Sequence, residues 1–160
     1  VNDALQQGFT EPDPRDDLSG MDVARKLVIL AREMGLDMNV NDIDVESLVD
    51  LNHLSMPVKE YLEAMSSGDQ EMNDRYQSAL ENNEKLAYVA QIDENGNASV
   101  GLKNLSNDHS FFSLKGTENI IAIHSDYYSN YPLVLRGPGA GREVTASGLF
   151  FDLLSIIRTQ

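Results

Sequence analysis

A dense group of carboxylates that ends at a lysine marks residues 8–26, GFTEPDPRDDLSGMDVARK. Two prolines stiffen its first part, where Glu11 and Asp17 lie, and push the residues before them towards extended backbone. Asp22 and Lys26 are four residues apart, so on a helix they share one face and can pair. Carboxylates that converge on one ammonium can bind a substrate amine or hydroxyl, while the ammonium donates a proton.

The same residues allow two other interpretations. Asp22 and Lys26 could be an ordinary helix-surface ion pair, worth about 0.3–0.5 kcal/mol. A calcium loop of the EF-hand type needs glycine at its sixth position and glutamate at its twelfth. Counted from Asp13, those positions hold Leu18 and Ala24, so the EF-hand pattern fails. A metal site of another kind remains open.

The overall composition excludes several classes of partner and chemistry. The 160 residues include 26 acidic and 12 basic ones, a net charge of −14, whereas nucleic acid and anionic membranes attract basic surfaces. The absence of cysteine excludes disulfides, thiol catalysis and thiolate metal ligands, and is compatible with a reducing cytoplasm. No apolar run approaches the roughly 18 residues that a membrane span requires. We therefore expect a cytoplasmic protein that binds neither nucleic acid nor membrane.

The pattern around the acidic segment predicts an α+β fold, with helices packed on an antiparallel or mixed sheet. Residues 1–18 should be irregular apart from a short helical end. A helix should then begin near Ser19, which has capping-box spacing to Asp22, and end at Gly35. Its apolar spacing implies that Asp22 and Lys26 are partly buried.

Further elements are predicted along the rest of the chain. They are a strand near 44–48, helices from about 57 and over 70–83, a hairpin around an Asn-Gly turn, strands near 119–125 and 133–136, and an amphipathic helix over 143–158.

Three glycines lie between the last predicted strand and the last predicted helix, at Gly137, Gly139 and Gly141. Glycine allows a sharp turn and a close approach of a ligand to the backbone, and a helix N-terminus favours an anion. The spacing is not the dinucleotide fingerprint G-x-G-x-x-G, because the sixth position from Gly137 is Arg142. The sequence alone leaves a structural turn and a ligand contact both open.

The acidic segment resembles the signature of the homoserine dehydrogenase family. The string TEPDPRDDLSGMDVARK, preceded by Gly8 and Phe9, has the spacing characteristic of that signature. The resemblance extends to VARKLVILAREMG, VESLV, the Asp-Glu-Asn-Gly hairpin and PLVLRGPGAGREVTASGLFFDLL, which are similar to the C-terminal part of bifunctional aspartokinase/homoserine dehydrogenases. It covers essentially the whole chain and is weakest over residues 50–83.

The resemblance implies an enzyme that interconverts aspartate semialdehyde and homoserine, with NADP or NAD as hydride carrier, in threonine and methionine biosynthesis. By motif position, Lys26 matches the lysine that transfers a proton at the substrate oxygen. Asp22, Glu11 and Asp17 match carboxylates that bind substrate. Phe9 stands where the family often has tyrosine or tryptophan, so a hydrogen bond from that ring is lost.

The resemblance also implies an organisation that extends beyond these residues. The family's nucleotide-binding fold precedes the substrate region, so the chain is expected to be a C-terminal portion that is inactive alone. Residues 1–132 would form a substrate-binding and dimerisation domain. Residues 133–160 would complete the nucleotide-binding side, with the glycines near the nicotinamide and the last helix returning to a missing Rossmann domain. A homodimer or higher homo-oligomer is expected.

A rival interpretation places the chain in another class, as a non-catalytic module that binds an amino acid for regulation or dimerisation. Lys26 discriminates between the two: its loss should abolish chemistry in an enzyme and leave a binding module unaffected.

Overall fold

A computed structural model describes residues 1–8, 10–116, 118–139 and 142–158. The chain divides into two compact units, Val1–Leu105 and Ser106–Gln160. The domain boundary predicted between residues 132 and 133 falls inside the second unit, and as a functional boundary it stays a prediction.

The first unit consists of short helices around a small sheet. Its helices are α1 Asn2–Gln6, α2 Pro14–Leu18, α3 Met21–Glu33, α4 Val58–Ala64 and α5 Asp69–Glu81, and its strands are β1 Ile43–Val45, β2 Lys85–Ile92 and β3 Ala98–Leu105. Single 3₁₀ turns occupy Val40–Asp42, Leu51–His53 and Met65–Gly68.

The sheet has the order β1-β3-β2 and is mixed, as predicted. Strands β2 and β3 form the predicted antiparallel hairpin. Its turn is closed by Asp93, whose Oδ1 accepts from the amides of Asn95 and Asn97 at 2.9 and 2.8 Å, and Gly96 supplies the left-handed backbone, with φ +82°. Strand β1 runs parallel to β3, and Ile43 pairs with Ala98.

The core of the first unit lies between α3 and this sheet. The helix buries Ala24, Leu27, Val28 and Ala31 against residues that include Val100, and full burial of an aliphatic side chain the size of leucine or valine contributes about 1.5–3 kcal/mol. The buried residues recur at helical spacing, and the opposite face of α3 carries Asp22 and Lys26 together with the exposed Ile29. The helix ends at Glu33, and Gly35 adopts φ +86°, as predicted for a C-terminal stop.

The start of α3 differs from the prediction. Residues 14–18 form the separate helix α2, with Pro14 in its first turn and Asp13 as its N-cap. Ser19 therefore ends α2, and the N-cap of α3 is Gly20, with φ +75°. The predicted capping box of Ser19 with Asp22 is absent, although Ser19 Oγ accepts from the Met21 N–H at 3.3 Å. Two helices joined this tightly need one left-handed residue between them, and glycine adopts that conformation without strain.

The second unit contains an antiparallel ribbon and one helix. Strand β4 (Glu118–Ile123) pairs with β5 (Leu133–Pro138), and α6 spans Arg142–Arg158. Arg136 forms an ion pair with Glu118 across the ribbon. Helix α6 is apolar around most of its circumference rather than amphipathic, because consecutive apolar residues point in directions about 100° apart. More than half of each of these side chains is exposed: Leu149, Phe150, Phe151, Leu153, Ile156 and Ile157.

Among the described residues, no helix combines the length and the apolar character that crossing a membrane would require.

Candidate functional site

An open cleft beside α2 and α3 brings the four predicted catalytic and substrate-binding residues together. Its volume is about 610 Å³, and it is lined by Glu11, Asp16, Asp17, Ser19, Met21, Asp22, Arg25 and Lys26. Asp16 and Arg25 were not among the predicted site residues, although both belong to the same motif string. Each is adjacent in sequence to a predicted site residue, and this adjacency is the signal that could have identified them.

The cleft lining includes the ion pair formed by Asp22 and Lys26. Lys26 Nζ lies 2.8 Å from Asp22 Oδ2. The two side chains are 58% and 61% exposed, for Asp22 and Lys26 respectively, so the expectation that they are partly buried is wrong. They project from the face of α3 opposite the buried stripe, and this exposed pair contributes little to stability. It leaves an ammonium open to an approaching substrate oxygen.

A second contact orders the entrance of the cleft. The backbone N–H of Glu11 donates to Asp17 Oδ2 at 2.9 Å, which ties the proline-containing loop to α2. Among the described residues the Glu11 carboxylate itself has no hydrogen-bonding partner. It is therefore available to a cationic group in the cleft.

The lining charges make the cleft acidic. Four carboxylates, on Glu11, Asp16, Asp17 and Asp22, face two cations, on Arg25 and Lys26. An excess of carboxylates in a cleft attracts cations such as a substrate ammonium.

The start of α3 is fixed against the sheet by a close backbone approach. A Cβ at Gly20 would overlap the Tyr88 hydroxyl and would lie 3.0 Å from Val45 Cγ1. The Tyr88 hydroxyl donates to the backbone oxygen of Glu46 at 2.6 Å. Burial raises the pKa of Tyr88, so the phenol keeps the proton that it donates. This junction sets the position from which Asp22 and Lys26 project.

The predicted cofactor-binding glycines belong to the second unit. Gly137 lies in β5 opposite Asn119, and Gly139 follows that strand. A Cβ at Gly137 would meet nothing within 4 Å, whereas one at Gly139 would overlap the Asn119 amide. Gly137 therefore has open space beside its backbone, whereas Gly139 must lack a side chain because Asn119 packs against it. Gly141, like Phe9, lies outside the described residues.

In the described part of the chain, no group of three or more histidine, cysteine or acidic residues is arranged so that it could hold a metal ion.

Comparisons with known proteins give a consistent family. Residues 1–154 match the family model for homoserine dehydrogenase. The bifunctional aspartokinase/homoserine dehydrogenase 2 of Escherichia coli K12 is 46% identical over 153 residues, which are 96% of this chain and 19% of that protein. The chloroplastic bifunctional aspartokinase/homoserine dehydrogenase 2 of Zea mays is 45% identical over 158 residues, 98% of this chain and 17% of that protein. The chain thus spans less than a fifth of the length of these relatives.

Solved structures agree with the α+β prediction. A Candida auris protein of unknown function superposes with a TM-score of 0.93 at 42% identity, over 99% of this chain and 45% of that one. The putative homoserine dehydrogenase of Archaeoglobus fulgidus gives 0.72 at 25% identity, over 97% and 41%. The Staphylococcus aureus homoserine dehydrogenase shares the fold, with 0.71 at 22% identity over 99% and 36%.

Proposed function

Because the chain belongs to the homoserine dehydrogenase family, we propose that its acidic cleft is the substrate side of an oxidoreductase that interconverts aspartate semialdehyde and homoserine. The observation that carries this proposal is that Glu11, Asp17, Asp22 and Lys26 line one cleft. The family model confirms the family predicted from the acidic segment, and this reaction is the one that the cleft's residue types support best.

The chemistry requires a proton and a hydride at adjacent atoms. Reducing an aldehyde adds hydride to carbon and a proton to oxygen, and a bound nicotinamide supplies or accepts that hydride. In the reducing direction the Lys26 ammonium donates the proton and stabilises the negative charge that develops on oxygen. In the reverse direction the neutral amine takes the proton back. Asp22, 2.8 Å from the Lys26 nitrogen, holds the ammonium towards the cleft.

The remaining carboxylates suit the amino end of the substrate. Both homoserine and aspartate semialdehyde carry an ammonium, and the Glu11 carboxylate is available to bind it. Asp17 uses one oxygen to hold the Glu11 backbone, and we propose that its other oxygen faces substrate. Charge-assisted hydrogen bonds of this kind are about twice as strong as neutral ones.

The cofactor side involves the second unit. Gly137, which has open space beside its backbone, and Gly139 would contact the nicotinamide end of NADP or NAD, and Gly141 is a proposed contact on sequence grounds. We further propose a homodimer or higher homo-oligomer, a place in threonine and methionine biosynthesis, and a cytoplasmic location. The Zea mays relative is named as chloroplastic.

The experiment is homoserine-dependent reduction of NADP⁺ and of NAD⁺ by the natural full-length protein, in wild type and Lys26 variants. Lys26→Ala should lower kcat by about 10²–10⁴-fold, the usual contribution of a positioned acid–base group. Lys26→Arg keeps the charge but cannot release a proton near neutral pH, so it should stay comparably slow. Lys59→Ala removes an exposed lysine from α4 and is the matched control.

Two outcomes would contradict the proposal. Full activity in folded Lys26→Ala would move the proton transfer to another group. An inactive wild type with both cofactors would favour the non-catalytic amino-acid-binding module.

A further inference from the structure

Arg15 precedes the cleft-lining Asp16 on α2 and joins two segments that are far apart in sequence. Its Nη1 donates to three backbone oxygens, those of His53, Leu54 and Met56, at 3.1, 2.9 and 2.7 Å. Its other nitrogens bind the Asp13 carboxylate, with Nε 2.9 Å from Oδ1 and Nη2 2.5 Å from Oδ2. One guanidinium thus holds a whole turn of loop 53–56 against the start of α2.

The surroundings of Arg15 make this arrangement rigid. The side chain is only 14% exposed, and its guanidinium carbon lies 5.2 Å from the ring centroid of Tyr61. Tyr61 is itself 1% exposed, so the cation rests on a fixed aromatic face. Lysine could not reproduce this arrangement, because it lacks the planar fork of donors that serves a carboxylate and three carbonyls together.

Helix α2 depends on such an anchor. It has five residues, and isolated helices shorter than about 12–15 residues are marginal in water. Asp16 and Asp17 follow Arg15 directly on this helix and line the cleft. Asp17 in turn holds the Glu11 backbone at 2.9 Å. A shift of α2 would therefore move the carboxylates assigned to the substrate ammonium, while Asp22 and Lys26 stay on α3.

We propose that Arg15 is a positioning residue for the substrate-binding carboxylates, and that it acts by holding α2 to loop 53–56. Resting on the function proposed above, this inference assigns Arg15 to the binding of homoserine and not to the binding of the nicotinamide cofactor. Loop 53–56 therefore contributes to substrate binding indirectly. None of its residues lines the cleft, but its carbonyl groups fix the orientation of the guanidinium.

The test uses the natural full-length protein with Arg15→Met, which keeps the aliphatic volume, and Arg15→Lys, which keeps the charge. Arg75→Met is the matched control, since it removes an exposed 2.9 Å pair with Glu46 outside the cleft. We expect Arg15→Met to raise the KM for homoserine by on the order of 10–100-fold, as misplacement of binding groups by about 1 Å does. The KM for the cofactor should stay within about twofold of wild type, and Arg75→Met should change neither constant.

Amide hydrogen exchange gives a second readout that a general loss of stability would not mimic. Arg15→Met should increase exchange in peptides that cover residues 10–20 and 50–58 together, with the hairpin of β2 and β3 unchanged. Arg75→Met should leave both segments as in wild type.

The outcomes separate this inference from the proposed function. An active wild type whose Arg15→Met variant keeps the KM for homoserine, or raises both KM values in parallel, would overturn the role of Arg15 alone. If Arg15→Met does not fold, Arg15→Lys decides: a wild-type KM and wild-type exchange would overturn the role, and a raised KM for homoserine with faster exchange in both segments would support it. A wild type without homoserine-dependent activity would overturn the proposed function and this inference with it.

Discussion

Replacing Gly20 by alanine should lower the free energy of unfolding of the first unit in two ways, by straining the backbone and by creating a steric clash. Gly20 has φ +75°, and an L-residue in the left-handed region costs about 1–2 kcal/mol. The new Cβ would also overlap the Tyr88 hydroxyl and press on Val45. Overpacking of this kind costs about 1–3 kcal/mol, so we expect a total loss of about 2–5 kcal/mol from the two effects together.

Gly35 provides the control that separates these two contributions. It has φ +86°, and a Cβ there would meet nothing within 4 Å. Gly35→Ala therefore carries the backbone strain without the clash, and the entropy effect of alanine on the unfolded chain is common to both variants. The difference between the two variants should be the steric cost, about 1–3 kcal/mol.

The assay is urea unfolding of the 160-residue chain, followed by far-ultraviolet circular dichroism, with equal m-values as the condition for comparison. Tyr88→Phe removes the overlapping oxygen and its hydrogen bond to Glu46, at a cost of about 1 kcal/mol. When Gly20→Ala is combined with Tyr88→Phe, the alanine should be clearly less damaging, and the strain that remains should come from the left-handed backbone at residue 20 and from the contacts with Val45 and the residue 88 ring. Equal losses for Gly20→Ala and Gly35→Ala, or a loss that Tyr88→Phe leaves unchanged, would refute the reasoning.

Three further predictions concern the Arg15 anchor and the glycine segment. The hydrogen bonds from Arg15 hold the pKa of Asp13 below its ordinary value, so this carboxylate stabilises the fold above about pH 4 and loses that effect as the pH falls further. The gap in urea midpoint between wild type and Asp13→Asn, which keeps an N-cap side chain, should be constant from about pH 7 to 5 and close at lower pH. Gly139→Ala should lower the stability by about 1 kcal/mol because Asn119 must move, and Asn119→Ala should relieve it. Gly137→Ala should leave the melting temperature unchanged and raise the KM for the nicotinamide cofactor; an unchanged KM would contradict its proposed contact.

The parts of the site that local spacing determines could be predicted from the sequence. Asp22 and Lys26 meet because residues four apart share a helix face. Glu11 reaches Asp17 because only five residues separate them, two of them prolines, and the second proline begins α2. Helix α3 ends shortly before Gly35, and the hairpin turns at Gly96. Both features follow from glycines, which adopt positive φ readily.

The parts that depend on distant residues could not be predicted. Helix α3 begins after Gly20 because α2 occupies residues 14–18 and a left-handed residue joins the two helices. Gly20 also passes close to Tyr88, and nothing near Ser19 reveals this contact. Arg15 binds backbone carbonyl groups 38 to 41 residues away. Every residue has such a carbonyl, so the side chains of loop 53–56 give no sign of this contact. Lys26 is exposed because it lies on the face of α3 opposite the buried residues. The apolar spacing already indicates that face, so the prediction of partial burial did not follow from it.

The packing of α3 against β3 determines when the first unit can fold during synthesis. Helix α3, which carries Asp22 and Lys26, buries its apolar face against residues as distant as Ala98 and Val100. Synthesis proceeds at about 5–20 residues per second, so the helix emerges seconds before the strand that completes its packing. During that interval its apolar face is open to chaperones and to other nascent chains. The hairpin of β2 and β3 is local and forms quickly once made, so its appearance should be the event that commits the first unit to its fold.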